Sequence, residues 1–184
     1  MGGSESNSMQ NELAAVVPNL RAFARSLCGN PHQADDLVQE TLVKAWKNQD
    51  SFTQGSNLKA WLFTILRNTY LSERRKRKHE VEDQDGFLAE QLSVPGAQSG
   101  HMDMIDFQKA FARLPDDQKE ALVLIGAEGF SYEEAALMCG CAVGTIKSRV
   151  NRSRVKLCEL LDVDGASDFG PDPIVKGRSS ATGD

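Results

Sequence analysis

FSYEEAALMCGCAVGTIKSRVNRSR, Phe130 to Arg154, decides how this chain folds. Ser131 followed three residues later by Glu134 is the spacing of a capping box, so a short helix starts there. Gly140 then permits the left-handed backbone of a tight turn. A second helix opens near Ala142 and turns Val143, Ile146, Val150 and Leu157 inward, while the small Gly144 lets neighbouring backbone come close. Short helix, glycine-containing turn and longer basic helix together read as a helix-turn-helix.

At about 100° per residue, Thr145, Ser148, Asn151 and Arg152 fall opposite Ile146 and Val150, on a face free to meet DNA. Lys147, Arg149, Arg154 and Lys156 lie toward its flanks, within reach of phosphates that would set the docking register. Arginine pairs with guanine and asparagine with adenine, each good pair giving roughly 1–3 kcal/mol of discrimination. A basic helix standing alone reads as a solvated face; the preceding cap and turn tip this one toward DNA.

Working outward, helical spacing of apolar residues recurs upstream. Leu13, Val16, Val17, Leu20, Phe23, Ala24 and Leu27 form one amphipathic helix, stopped by Gly29-Asn30-Pro31. A second, from about Gln33 to Trp46, turns Ala34, Leu37, Val38, Leu42, Ala45 and Trp46 inward. Asp35, Asp36, Gln39, Glu40 and Lys44 lie largely outward. A third carries Leu58, Trp61, Leu62, Ile65 and Leu66 and ends in the basic run Arg74 to Lys78; Trp61 and Trp46 read as core. Phe107, Ala110, Phe111 and Leu114 share a face of a further helix, and Pro115 marks the start of the next.

The fold class is therefore all-α: two small helical domains joined by a flexible acidic linker, the second containing the helix-turn-helix. The expected division is a disordered start at 1–10, a first domain at 11–79, an acidic linker at 80–105, a second domain at 106–161 and a disordered tail at 162–184. Glu80 to Asp106 contains no Lys or Arg, and when extended it would reach about 90 Å.

Among its 184 residues the chain carries a net charge of −5, which argues against a protein that coats nucleic acid by charge alone. Its basic residues gather instead at Arg74 to Lys78 and Lys147 to Lys156. Cys28, Cys139, Cys141 and Cys158 read as reduced thiols, and no second Cys or His pair stands at zinc spacing from Cys139-Gly140-Cys141, so no metal is expected. No apolar run approaches the roughly 18 residues of a membrane span, and the start lacks the order of a secretory signal. Met1 to Ser6 fits the loose myristoylation pattern but reads better as a flexible start. Paired carboxylates occur without a nucleophile, convergent His or phosphate loop, so no enzyme is expected.

GNPHQADDLVQETLVKAW, Gly29 to Trp46, LKAWLFTILRNTYLSERRK, Leu58 to Lys76, and GTIKSRVNRSR, Gly144 to Arg154, resemble the extracytoplasmic-function sigma factors of the sigma-70 family. The resemblance spans Leu13 to Leu161. FSYEEAA and CGCAVGTIKSRVNRSR further resemble the general-stress-response subgroup of alphaproteobacteria.

The resemblance implies a factor that binds bacterial core RNA polymerase and promoter DNA and directs transcription initiation from stress-response genes. It further implies sequestration by a small anti-sigma factor, a cytoplasmic location with nucleoid association during transcription, and no cofactor or membrane. Asp35, Asp36, Gln39, Glu40 and Lys44 would dock on polymerase. Ser56, Asn57 and Lys59, in the loop from Gln54, would meet the minus-ten element and capture an unstacked base. Arg67, Asn68, Tyr70, Arg74 and Arg75 would contact DNA beyond that base. The helix-turn-helix would read the minus-thirty-five element, the linker would thread through the nucleic-acid channel of polymerase, and each weak half-site would be strengthened by the other's presence. The alternative is a sigma-like decoy that binds an anti-sigma factor without reading DNA.

Overall fold

The computed structural model describes residues 3–53, 55–82 and 101–162, with side chains over 12–53, 55–77 and 104–162. Gln54, most of the acidic linker and the tail beyond 162 lie outside the described residues. Among the described residues there is no strand. Nor, among the described residues, is any helix long and apolar enough to cross a membrane.

The first half holds α1 (Gly3–Cys28), α2 (Pro31–Lys47) and α3 (Leu58–Glu82), with a 3-10 turn at Gln49–Ser51. The second holds α4 (His101–Ala112), α5 (Asp116–Leu122), a π-helical turn at Val123–Ala127, α6 (Tyr132–Cys139) and α7 (Val143–Leu161). Capping explains several ends. Asn30 accepts hydrogen bonds from the His32 and Gln33 backbone N–H groups, with Pro31 preset for the first helical position of α2. Asn57 Oδ1 accepts from the Ala60 N–H at 3.1 Å and so caps α3.

Three helices run past the limits of their apolar patterns. α1 begins at Gly3, inside the segment expected to be disordered; α3 continues to Glu82, past 79; α4 starts at His101, ahead of 106. Once a helix is nucleated, each further residue adds a backbone hydrogen bond without needing an apolar partner. Apolar periodicity therefore marks the packed part of a helix and not its full length.

One core runs through both halves. Leu20, Phe23, Leu37, Leu62, Phe63 and Leu66 fill the first, and Leu124, Ile125, Phe130, Ala135, Ile146 and Val150 continue the same cluster into the second. Phe63 joins them, its ring 4.9 Å from that of Phe23 and 5.2 Å from that of Phe130. A smaller cluster, Ala110, Leu114 and Leu157, fixes α4 to α7.

Two aromatic residues expected on inward faces are exposed instead, Trp46 at 60 % and Phe107 at 40 %. Each rims a cavity that its neighbours leave uncapped. Trp46, in the last turn of α2, edges a space of about 230 Å³ with Leu13, Val17 and Trp61, and Phe107 edges one of about 580 Å³ with Phe111, Leu122 and Leu161. Trp61 itself is half-buried against the core, its ring 5.2 Å from that of Phe52.

Candidate nucleic-acid interface

The helix-turn-helix is built as its residues dictate. The Ser131 hydroxyl accepts from the Glu134 backbone N–H at 3.1 Å, and the Glu134 carboxylate accepts from the Ser131 N–H at 2.9 Å, closing the capping box. That backbone donor holds the Glu134 carboxyl below its ordinary value; burial opposes it, and Asn57 and the Ser131 hydroxyl assist. Gly140 ends α6 at φ 62°, a conformation in which any Cβ would be strained.

α7 then buries Ile146, Val150, Ser153 and Leu157 and leaves Asn151 and Arg152 exposed. Thr145 and Ser148 are half-buried at the edge of that face. Lys147 is exposed, with its Nζ 5.6 Å from the centre of the Tyr132 ring, and Lys156 pairs with Glu159 at 3.1 Å. Arg149 is drawn back, its Nε 3.0 Å from Asp117 on α5 and its guanidinium donating to Cys141 Sγ. Arg154 lines the larger cavity beside Phe107.

Ser153, not singled out in the sequence, is fully buried and donates to the Arg149 and Gln118 carbonyls at 2.7 and 3.0 Å, tying α7 to α5. Its place between Val150 and Leu157 on the inner stripe was the available signal.

The cations of α3 are arranged differently. Arg67 Nε meets Glu120 Oε1 at 2.5 Å, with both side chains largely buried. Burial works against the Arg67 charge, but the facing Glu120 carboxylate outweighs it and raises the pKa. Lys59 Nζ lies 2.9 Å from the Glu128 carboxylate and 2.9 Å from the Glu128 carbonyl, and 5.0 Å from the centre of the Phe130 ring. Asn57 Nδ2 donates to Glu134 at 2.9 Å, and Arg74 pairs with Asp116. Four residues expected at the minus-ten element are thus held by the second domain.

The remaining four are held within the first domain or exposed. Ser56 donates to the Thr53 carbonyl at 2.6 Å, Tyr70 donates to the Leu27 carbonyl at 3.1 Å, and burial raises the Tyr70 pKa. Arg75 donates to the Leu71 carbonyl, and Asn68 is exposed.

On α2, Asp36, Gln39 and Glu40 are exposed on one side, Asp35 pairs with Arg21 at 2.8 Å, and Lys44 pairs with Glu40 at 2.6 Å. Lys44 holds the Glu40 carboxyl low, while burial and the neighbouring Glu40 push Glu73 up.

None of the four cysteines is bridged. Burial raises the Cys139 thiol to about 12 and Cys28 to about 11, so both stay protonated at neutral pH. Among the described residues no group of three His, Cys, Asp or Glu side chains could hold a metal ion.

Residues 13–80 match the family model of sigma-70 region 2, and residues 104–157 that of sigma-70 region 4. The ECF RNA polymerase sigma factor EcfG of Rhodopseudomonas palustris is 60 % identical over 170 residues, 92 % of this chain and 94 % of its own. Among solved structures, the sigma factor RpoE in co-crystal with the anti-sigma factor NepR, from Bartonella quintana, is 58 % identical. It superposes with a TM-score of 0.79 over 85 % of this chain and 98 % of its own. The PhyRSL–NepR complex from Sphingomonas sp. Fr1 shares the fold at 21 % identity, with a TM-score of 0.62 over 95 % of this chain and 96 % of that one. With both conserved regions present in order on two helical units, the chain belongs to the extracytoplasmic-function sigma factors of the sigma-70 family.

Proposed function

We propose that this chain is a promoter-recognition subunit: it binds core RNA polymerase and directs initiation at stress-response promoters, performing no chemistry of its own. The observation that carries this is the complete helix-turn-helix, in which Asn151 and Arg152 stand exposed on the side of α7 opposite Ile146 and Val150. A decoy that only bound another protein would have no use for that polar reading face.

In this reading α7 lies in the major groove of the minus-thirty-five element. Asn151, Arg152, Ser148 and Thr145 address base edges, and Lys147 and Lys156 address phosphates. Arg149 and Arg154 join them only by swinging away from Asp117 and from the cavity wall. Ser56 and Asn57 hold an unstacked base of the minus-ten element, and Lys59, Arg67, Asn68, Tyr70, Arg74 and Arg75 grip the strand around it. Asp35, Asp36, Gln39, Glu40 and Lys44 form the polar docking face for polymerase.

The divisions at 11–79, 80–105 and 106–161 are the working units, and the acidic linker threads the polymerase channel. An anti-sigma factor of the NepR kind sequesters the chain, as the 58 % identity to the NepR-bound sigma factor supports. The chain works in the cytoplasm, at the nucleoid while transcribing.

The test is runoff transcription with purified core polymerase and a library of promoter fragments. Selective starts that share two spaced upstream elements are the expected result. No starts, despite binding of a NepR-type partner, would replace this reading with the decoy.

A further inference from the structure

We infer that the apolar cavity between α4 and α7 is a docking site for this chain's own C-terminal segment, with the Phe169 ring seated in it. The inference stands apart from promoter reading, since it uses only the second domain and the residues that follow it.

The second domain builds this cavity without filling it. About 580 Å³ lies between Phe107 and Phe111 of α4, Leu122 and Val123, and Leu157 and Leu161 of α7. Phe107 and, one turn before it, Met104 are exposed, so the apolar surface continues outward from the cavity along α4. Water against such a surface is unfavourable, and an apolar side chain that displaces it is stabilising.

The end of α7 delivers the chain to that opening. Leu157, Cys158 and Leu161 all line the cavity, and the helix stops at Asp162, whose φ of 52° is the one left-handed value among the described residues other than glycine. The Asp162 N–H donates to the Cys158 carbonyl. In this kind of helix stop the next apolar residue commonly packs back on the last turn; here that residue is Val163, and the last turn presents Leu157 and Cys158. Phe169, the one aromatic residue after α7, is seven residues beyond Asp162. Extended, those seven reach about 23 Å, whereas the way back along α7 from Leu161 to Arg154 is only about 10 Å. Asp168 and Asp172 bracket Phe169, and Arg154 in the cavity wall carries the opposite charge. Pro171 and Pro173 restrict the segment before it docks, so less freedom is lost when it does. A tethered segment meets its site at a roughly millimolar effective concentration, which a second copy in dilute solution does not reach. A partner that docks on this face of the second domain must first displace Phe169.

The experiment uses the full chain with its Phe rings and Leu methyl groups isotopically labelled for NMR. Nuclear Overhauser cross-peaks from the Phe169 ring to the Leu157 and Leu161 methyl groups are expected, and tenfold dilution should leave them unchanged. Phe169→Ala, which alters no residue of the helices, identifies the Phe169 signals by their loss. The same variant should enhance the fluorescence of 1-anilinonaphthalene-8-sulfonate at least threefold over the parent, with helicity by circular dichroism unchanged. Absence of the cross-peaks in the parent overturns the inference. So do cross-peaks that arise between copies, seen when one copy carries only labelled Phe and the other only labelled Leu, for they assign the cavity to a second molecule. Equal dye fluorescence from parent and variant overturns it as well, because the cavity would then stand open in both. Should the variant lose helicity, the cross-peaks of the parent alone decide.

Discussion

Helices α3 and α7 have similar sequences in outline: each buries an apolar stripe and carries arginines, lysines and an asparagine on other sides. In α3 the stripe is Leu58, Leu62, Phe63 and Leu66, and the cations Lys59, Arg67 and Arg74 end on carboxylates of the second domain. In α7 the stripe is Ile146, Val150 and Leu157, while Asn151 and Arg152 meet only solvent-facing surroundings. A basic helix face is thus a structural joint in one place and an open, solvent-facing surface in the other, where the proposed function puts DNA reading. What separates them is not composition but what lies opposite.

The sharpest break would come at Phe63, where the two halves of the core meet. Phe63→Ala removes a ring that is 1 % exposed and packed between Phe23 and Phe130. It is expected to destabilise the chain by about 3–5 kcal/mol. Urea denaturation followed by circular dichroism measures this, and a loss under about 1 kcal/mol would mean the two domains do not share a core.

Arg67 and Arg152 set the comparison most directly. Arg67→Ala strands the largely buried Glu120 carboxylate, and losing one partner of such a pair should remove about 3 kcal/mol of stability. Arg152→Ala touches nothing buried and should leave stability within about 0.5 kcal/mol. Its effect falls on recognition: selective transcription should drop by roughly 5- to 150-fold, the equivalent of about 1–3 kcal/mol of base discrimination. Asn151→Ala should act the same way, with polymerase binding retained in both. Thermal melts and runoff assays on the same preparations check the pair, and an Arg152 variant that melted early would erase the distinction.

Much of α7 was legible because its signals are local. Ser131 with Glu134, Gly140, and the stripe at Ile146 and Val150 all act within a few turns of one another, so sequence spacing reports them. The closed face of α3 was not legible, because Arg67 and Glu120 are far apart in the chain and a helical wheel says which side is polar without saying what covers it. Glu120 was the missed residue of consequence: an acid in a short helix reads as solvated, and only the tertiary fold buries it to 7 % exposure. Trp46 failed in the opposite sense, since the wheel placed it inward but it stands 60 % exposed, at the rim of a space that stays open at the end of α2.

The smallest expected effect sits where the two regions touch. Glu134 serves both: its carboxylate closes the cap of α6 and accepts the Asn57 hydrogen bond from the first domain. Because its folded pKa lies below the ordinary 4.5, led by the Ser131 backbone donor, the unfolded chain binds its proton more readily. The stability it contributes is therefore fully present above about pH 4.5 and is lost as pH falls through the lower folded value. Ser131→Ala should cost about 1 kcal/mol at neutral pH through the lost cap. Asn57→Ala removes a donor to the same carboxylate and the cap of α3, so both variants should show a shallower loss of stability on acidification than the parent. Melting temperatures between pH 7 and pH 3 decide it: three parallel curves would mean that neither the Ser131 hydroxyl nor the Asn57 amide stabilises the Glu134 carboxylate, leaving only the Ser131 backbone donor to do so.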